Sequence, residues 1–206
     1  EMKLIIRNKR SRTQMFILLF LLLYPLLFRG ESLPMLIFMA IFTTGGFALT
    51  YGQLLLSWNS DHFDLLLTRM GSIKDIFRAK YYLQVISITL TSLVMIWYGF
   101  YQVAYFYLIP IAALFNVGVV TFMYMFLASY NSKKIDANKG ATMNYEGMSI
   151  ALFLIMIPIF IIPAGLILLG MYFDMKMIGL IGIGALGLSG LVFHERLIDA
   201  SVSLFK

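Results

Sequence analysis

No cysteine occurs in the 206 residues, which excludes a disulfide framework and any thiolate metal site. Charge is nearly as scarce. Asp, Glu, Lys and Arg supply 13% of the chain, where a soluble domain carries roughly a quarter. Only two histidines are present, His62 and His194, far apart and without a nearby ligand pattern, so no metal centre is expected. Phosphate-binding GxxxxGK[ST], GxSxG and HExxH patterns are all missing. These absences argue against an enzyme and against a bound cofactor, and any energised work would need nucleotide binding by another polypeptide.

What replaces the missing charge is apolar length. Hydrophobic residues make up 61% of the chain and the mean hydropathy is +0.87, the composition of a chain whose solvent is lipid. Six apolar stretches stand out, at 15–28, 33–57, 82–98, 103–128, 150–169 and 177–193. A helix crosses the hydrocarbon core with about 20 residues. The expected fold is therefore an all-α polytopic integral membrane protein with about six transmembrane helices. The first stretch is short and would borrow Thr13 and Gln14, with Arg29 snorkelling at its far side. Trp97, Tyr98, Tyr101, Tyr105 and Tyr107 flank the brief break at 99–102, which suits a tight helical hairpin turning in the headgroup layer.

Positive charge sets the orientation. With the N-terminus inside, segments 1–14, 58–81, 129–149 and 194–206 are cytoplasmic and hold all Lys and Arg except Arg29 and Lys176. Both termini are thus expected in the cytoplasm, and the net charge of +6 is answered by anionic lipid, without nucleic acid. None of the six stretches contains Lys, Arg, Asp or Glu. That pattern argues against carboxylate-coupled pumping and against intramembrane hydrolysis. Lys3, Arg7, Lys9, Arg10 and Arg12 precede the first stretch, which is read as a retained helix because no small-residue cleavage site follows it. Segment 1–14 is expected to form a basic amphipathic interfacial helix, leaving 15–206 as the six-helix domain. The chain opens on Glu1 and is expected to be part of a longer protein.

The segment WNSDHFDLLLTRMGSIKDIFRAKYY, 58–82, reads as two cytoplasmic helices with punctuation. Ser60 or Asp61 can cap the first, and Asp61 and Asp64 favour the positive end of its dipole. Phe63, Leu66, Leu67 and Met70 then form an apolar stripe at i, i+3, i+4 and i+7. Arg69 sits in the last turn, and Gly71 provides the stop. Ser72 opens the second helix with Asp75 three residues on, as in a capping box. Lys74, Arg78 and Lys80 follow up to Tyr81 and Tyr82. The stripe could dock on a cytoplasmic partner, or lie on lipid or on its own bundle.

The order of a basic amphipathic helix, two spans, a cytoplasmic insertion and four more spans resembles the membrane subunit of type-2 ABC exporter permeases. Asp64, Leu65-Leu66-Leu67, Met70-Gly71, Ser72 and Lys80 follow the order that family shows between its second and third spans. The family's Glu-x-x-x-Gly-Thr lead is replaced here by Asp61-His62-Phe63-Asp64. EMKLIIRNKRSRT, SWNSDHFDLLLTR and FRAKYYL also look like a subfamily of longer, uncharacterised bacterial membrane proteins related to those permeases, whose C-terminal half this chain would match. The resemblance implies transport, export over uptake since no importer-type EAA loop is evident, and a cytoplasmic ATPase partner. It also implies a second six-helix half, either a copy or an upstream part, and a bacterial inner-membrane location. Asp61, Phe63, Asp64, Leu66, Leu67, Arg69 and Met70 would then form a coupling helix seated on the ATPase.

Within the stretches, Gln84, Ser87 and Thr91 share a helix face, with Thr89 and Ser92 beside them, and Asn116 sits in the middle of the fourth. Gln84, Ser87, Thr91 and Asn116 could line a translocation path or make interhelical and back-bonded hydrogen bonds. Gly179, Gly182, Ser189 and Gly190 fall near one side of the sixth stretch and form a candidate helix-packing face, without strict GxxxG spacing. Thr43-Thr44-Gly45-Gly46 could loosen the second. Pro110, Pro158 and Pro163 are expected to kink their helices, with Pro158, Pro163 and Gly165 compatible with the broken fifth span of the resembling family. The competing function is a membrane anchor or scaffold subunit of a larger envelope complex.

Overall fold

The computed structural model describes residues 16, 19–27, 32–51, 72–130 and 150–204. Among these the chain is all-α, with no strand. The basic helix expected over 1–14, the coupling-helix residues Asp61, Phe63, Asp64, Leu66, Leu67, Arg69 and Met70, and the connection 131–149 lie outside the described residues.

Helix α1, Leu33–Thr44, starts behind Ser32 with a proline in its first turn, where the missing N–H costs nothing. It is buried around most of its circumference, through Leu36, Ile37, Met39, Ala40, Ile41, Thr43 and Thr44, so it runs inside the bundle. The helix halts at Gly45 and resumes as α2, Gly46–Tyr51.

Helix α3, Ile73–Met95, begins at Ser72, whose Oγ accepts the Asp75 N–H at 3.2 Å. The second helix expected in the 58–82 segment and the third apolar stretch are therefore one continuous rod. Its buried face is Ile76, Phe77, Lys80, Tyr81, Gln84, Ile88, Thr91 and Met95, the i, i+3, i+4 recurrence of an amphipathic helix. Its opposite face exposes Tyr82, Ile86, Leu90, Leu93 and Val94, an apolar exterior suited to lipid.

A tighter 3-10 segment, Ile96–Phe100, carries α3 to the hairpin with α4, Tyr105–Phe115. Gly99 has no room for a side chain there, because a Cβ would stand 2.6 Å from the Phe106 ring. Trp97, Phe100, Tyr101, Phe106 and Tyr107 are exposed around this turn. The Tyr98 hydroxyl donates to the Leu22 carbonyl at 2.7 Å, bringing the first apolar stretch to the same end.

Helix α4 passes through a π turn, Asn116–Val120, into α5, Thr121–Tyr130. This rod is the hub, with Leu108, Ala112, Phe115, Val120, Tyr124 and Met125 completely buried. Helix α6, Ile150–Tyr172, contains both Pro158 and Pro163 without breaking. Among the described residues, irregular geometry within the apolar stretches appears at Gly45 and at the π turn. Asp174, with φ 55°, turns the chain into α7, Lys176–Val192. Asp tolerates this left-handed conformation better than most non-glycine residues. At Phe193 the chain bends by 70° into α8, His194–Leu204.

Two described helices are long and apolar enough to cross a membrane, Ile73–Phe100 and Tyr105–Leu127, and a third if the bent pair Lys176–Val192 and His194–Leu204 counts as one span. Leu33–Thr44 and Ile157–Tyr172 are shorter apolar helices. The described residues thus give two to three such spans, fewer than the six expected. Within the second stretch, the pause at Gly45 separates α1 from α2.

Candidate functional site

One end of the bundle concentrates the charge. Ser72 fixes the start of α3 by capping, and its Oγ also donates to Asp75 Oδ2 at 2.7 Å. One turn on, the Arg78 guanidinium grips Glu195 with two bonds, Nε to Oε1 at 3.1 Å and Nη2 to Oε2 at 2.6 Å. A two-pronged Arg–carboxylate pair fixes orientation as well as distance. Lys74 reaches Glu195 Oε2 at 3.6 Å and also pairs with Asp199. The Arg78 bond, helped by the charges of Arg78 and Lys74, holds the Glu195 carboxyl below its usual range. These side chains are partly exposed, so water and salt screen them. Their effect is positional: they lock the 70° turn of α8 against the first turns of α3.

Packing reinforces the lock. The His194 ring stacks on Tyr81 at 5.6 Å, and Tyr81 stacks on Phe122 at 5.0 Å. Ile198 is buried with Ile76, Phe77 and Tyr81 in one apolar cluster. Ser129 Oγ lies 2.9 Å from the Ser201 carbonyl and donates to it, tying α5 to α8. Helix α8 thus presents Ile198 and Ser201 inward and Glu195 and Asp199 to the α3 cations. Sequence reasoning treated 194–206 only as a positive flank. The missed signal is Glu195 and Asp199, spaced i and i+4 around Ile198, the pattern of an amphipathic helix.

The second feature is a polar seam where two helices are irregular at one level. Asn116 opens the π turn, and its Nδ2 donates to the Ile41 carbonyl at 2.9 Å and to Thr44 Oγ1 at 2.8 Å. Ile41 O also accepts the Gly45 N–H at 2.9 Å, so the side chain plugs the end of α1. Gly45 is required here, because a Cβ would lie 2.8 Å from Asn116 Oδ1. Thr121 Oγ1 donates to the Asn116 carbonyl at 3.0 Å, a second bond to an oxygen that already accepts the Thr121 N–H closing the π turn.

Of the candidate path-lining residues, Asn116, Gln84 and Thr91 are buried and Ser87 is half-buried. Ser87 and Thr91 bond back to the carbonyls of Leu83 and Ser87 at 2.6 and 2.7 Å, and Thr89 and Ser92 bond back to Val85 and Ile88. The hydroxyls are spent within α3. Gln84 differs: it is completely buried, and neither Oε1 nor Nε2 has a hydrogen-bond partner. Burying an unmatched amide costs about 1–3 kcal/mol by protein substitution data. Asn116 Oδ1 is likewise unmatched.

The candidate packing residues separate. A Cβ on Gly179 would stand 2.5 Å from the Leu166 carbonyl oxygen, and one on Gly190 2.5 Å from the Gly118 carbonyl carbon. Gly182 meets only the Leu166 side chain, at 3.7 Å, and Ser189 is exposed and bonds back to Leu186. Gly187 completes the seam, where a Cβ would lie 2.5 Å from the Leu114 oxygen. Gly179 therefore serves the contact of α7 with α6, and Gly187 with Gly190 the contact with the α4 rod. Among the described residues no three His, Asp or Glu side chains come together as a metal site.

These features define an all-helical bundle with helices of membrane-crossing length, a charged clamp at one end and a polar seam inside. Residues 1–206 match the family of unknown function DUF5687, and the chain belongs to that family. No curated protein and no solved structure matches it.

Proposed function

We propose that the chain is the permease-like transmembrane subunit of an ATP-driven, ABC-type exporter. It works with a separate cytoplasmic ATPase and a second six-helix half. It sits in a bacterial inner membrane with six spans and both termini cytoplasmic, as the positive charges of 1–14, 58–81, 129–149 and 194–206 require. The observation that carries the proposal is the braced start of α3. The coupling-like residues 61–70 lead directly into Ser72, and the helix they lead into is clamped to α8 by Lys74 and Arg78. Force applied to the insertion would enter a stiff rod that passes the unmatched Gln84 and ends at the 96–100 turn. The resemblance of 58–82 to the exporter permeases supports the same reading.

The test is mild-detergent isolation of the full-length protein from its native membrane, followed by mass spectrometry. A nucleotide-binding ATPase at near-equal amount is expected, and it should be lost on L66D/L67D while membrane insertion persists. Consistent absence of an ATPase, with envelope proteins in its place, would reassign the chain as an anchor or scaffold subunit.

A further inference from the structure

The outer side of α7 is apolar, with Ile181, Leu188 and Val192 exposed at i, i+7 and i+11. It ends at the exposed Phe193 ring, where the chain bends by 70° into α8. Just inside α8, the Arg196 guanidinium carbon lies 5.6 Å from the centroid of that ring, within cation–π range. The carboxylates around it are already engaged. Asp75, Glu195 and Asp199 pair with Lys74 and Arg78. Arg196 is exposed and, among the described residues, pairs with no carboxylate. It is the surplus cation of an otherwise matched end.

The depth of this elbow follows from α3. The rod Ile73–Phe100 has 28 residues, about 42 Å at the α-helical rise, against a hydrocarbon core of about 30 Å. Its first turns therefore project beyond the core. They carry Lys74, Asp75 and Arg78, and the exposed apolar face begins at Tyr82. The His194 ring stacks on Tyr81, which sets 193–196 at the level of the lipid headgroups.

We propose that the α7–α8 elbow binds an anionic phospholipid, with its headgroup on Arg196 and its acyl chains along Val192, Leu188 and Ile181. The Phe193 ring steadies one face of the guanidinium, and the N–H fork at its edge matches a phosphate. A zwitterionic headgroup offers the same phosphate but brings its own cation toward Arg196, so the site selects net negative charge. The inference rests on α3 spanning the membrane and not on an ATPase partner.

The test uses the full-length protein with its two tryptophans, Trp58 and Trp97, replaced by phenylalanine. Phe193→Trp then reports lipid contact at the elbow and keeps a ring beside Arg196. The protein is reconstituted into mixed phosphatidylglycerol–phosphatidylcholine vesicles in which one lipid or the other carries brominated chains that quench indole fluorescence. At Phe193→Trp, phosphatidylglycerol should be favoured about fivefold, the effect of one cation at an anionic surface. Adding Arg196→Gln should abolish that preference. Leu90→Trp, on the outer face of α3, should be quenched by both lipids alike. No quenching at Leu90→Trp overturns the membrane reading and the proposal with it. Quenching there, with no preference at Phe193→Trp or a preference that survives Arg196→Gln, overturns the proposal alone. If Phe193→Trp does not fold, native mass spectrometry of the unsubstituted chain and Arg196→Gln, each extracted with phosphatidylglycerol present, decides. Fewer retained lipids on Arg196→Gln support the site, and equal numbers overturn it.

Discussion

Substituting Gly190 by alanine probes a backbone-to-backbone contact between α7 and the α4 rod. The added methyl would stand 2.5 Å from the Gly118 carbonyl carbon and 2.7 Å from its Cα, where carbon atoms settle at about 3.5–4.0 Å. The obstacle is backbone, which cannot rotate aside as a side chain does. The α7 helix must therefore retreat by roughly 1 Å or more, and a gap of that size forfeits a quarter to a half of each nearby dispersion contact. The neighbouring contacts of Gly187 with Leu114 and Phe115 loosen together with it. Overpacking of this kind costs about 1–3 kcal/mol, and we expect the upper part of that range. Gly184 on the same helix has nothing within 4 Å of an added Cβ, so Gly184→Ala should stay within about 0.5 kcal/mol of the parent. Thermal unfolding in one detergent, followed by circular dichroism, measures both variants. A drop of about 4–10 °C is expected for Gly190→Ala, using 2–4 °C per kcal/mol for chains of this size. Equal midpoints for the two variants would refute the assigned face of α7.

Two further expectations concern the clamp and the seam. Glu195→Gln should weaken the attachment of α8, raising amide hydrogen exchange across 194–204 several-fold while α4 remains protected. Because the folded-state pKa of Glu195 is lowered, its contribution is complete at neutral pH and disappears as pH falls through and below the ordinary carboxylate range. Parent and variant should therefore converge on acidification, and a difference that grows toward acid would contradict the clamp. Asn116→Ala removes both donors to α1 and should cost about 1 kcal/mol by thermal or denaturant unfolding. Asn116→Asp should cost more at pH 7, because it places a carboxylate against the Ile41 carbonyl in a medium that does not solvate it. Indifference to both substitutions would remove Asn116 from the seam.

Local signals in the sequence were good where the cause is local. Ser72 and Asp75 announce a cap, and the cap is formed. The small-residue stretch 177–193 reads as one helix, which runs Lys176–Val192. The aromatic break at 99–102 is the turn between α3 and α4. Features with distant causes were less legible. Pro158 and Pro163 lie inside one continuous helix, while the helix halts at Gly45 against Asn116, 71 positions away in the chain. Which glycines touch backbone is decided by the partner helix. Gly187 matters and Ser189 does not, because Leu114, Phe115 and Gly118 lie along the 187 and 190 side of α7.

The clamp carries that lesson to function. Lys74 and Arg78 first read as part of a positive inner flank, a role that any Lys or Arg near those positions would fill. Their pairing with Glu195 and Asp199, more than 100 residues away in sequence, gives them a geometry that a topology signal does not require. Lysine in place of Arg78 would preserve the positive flank but lose the two-pronged grip. Orientation alone would tolerate that exchange. A braced α3 would not, so Arg78→Lys separates a charge that merely sorts the chain across the membrane from one that holds two helices in register.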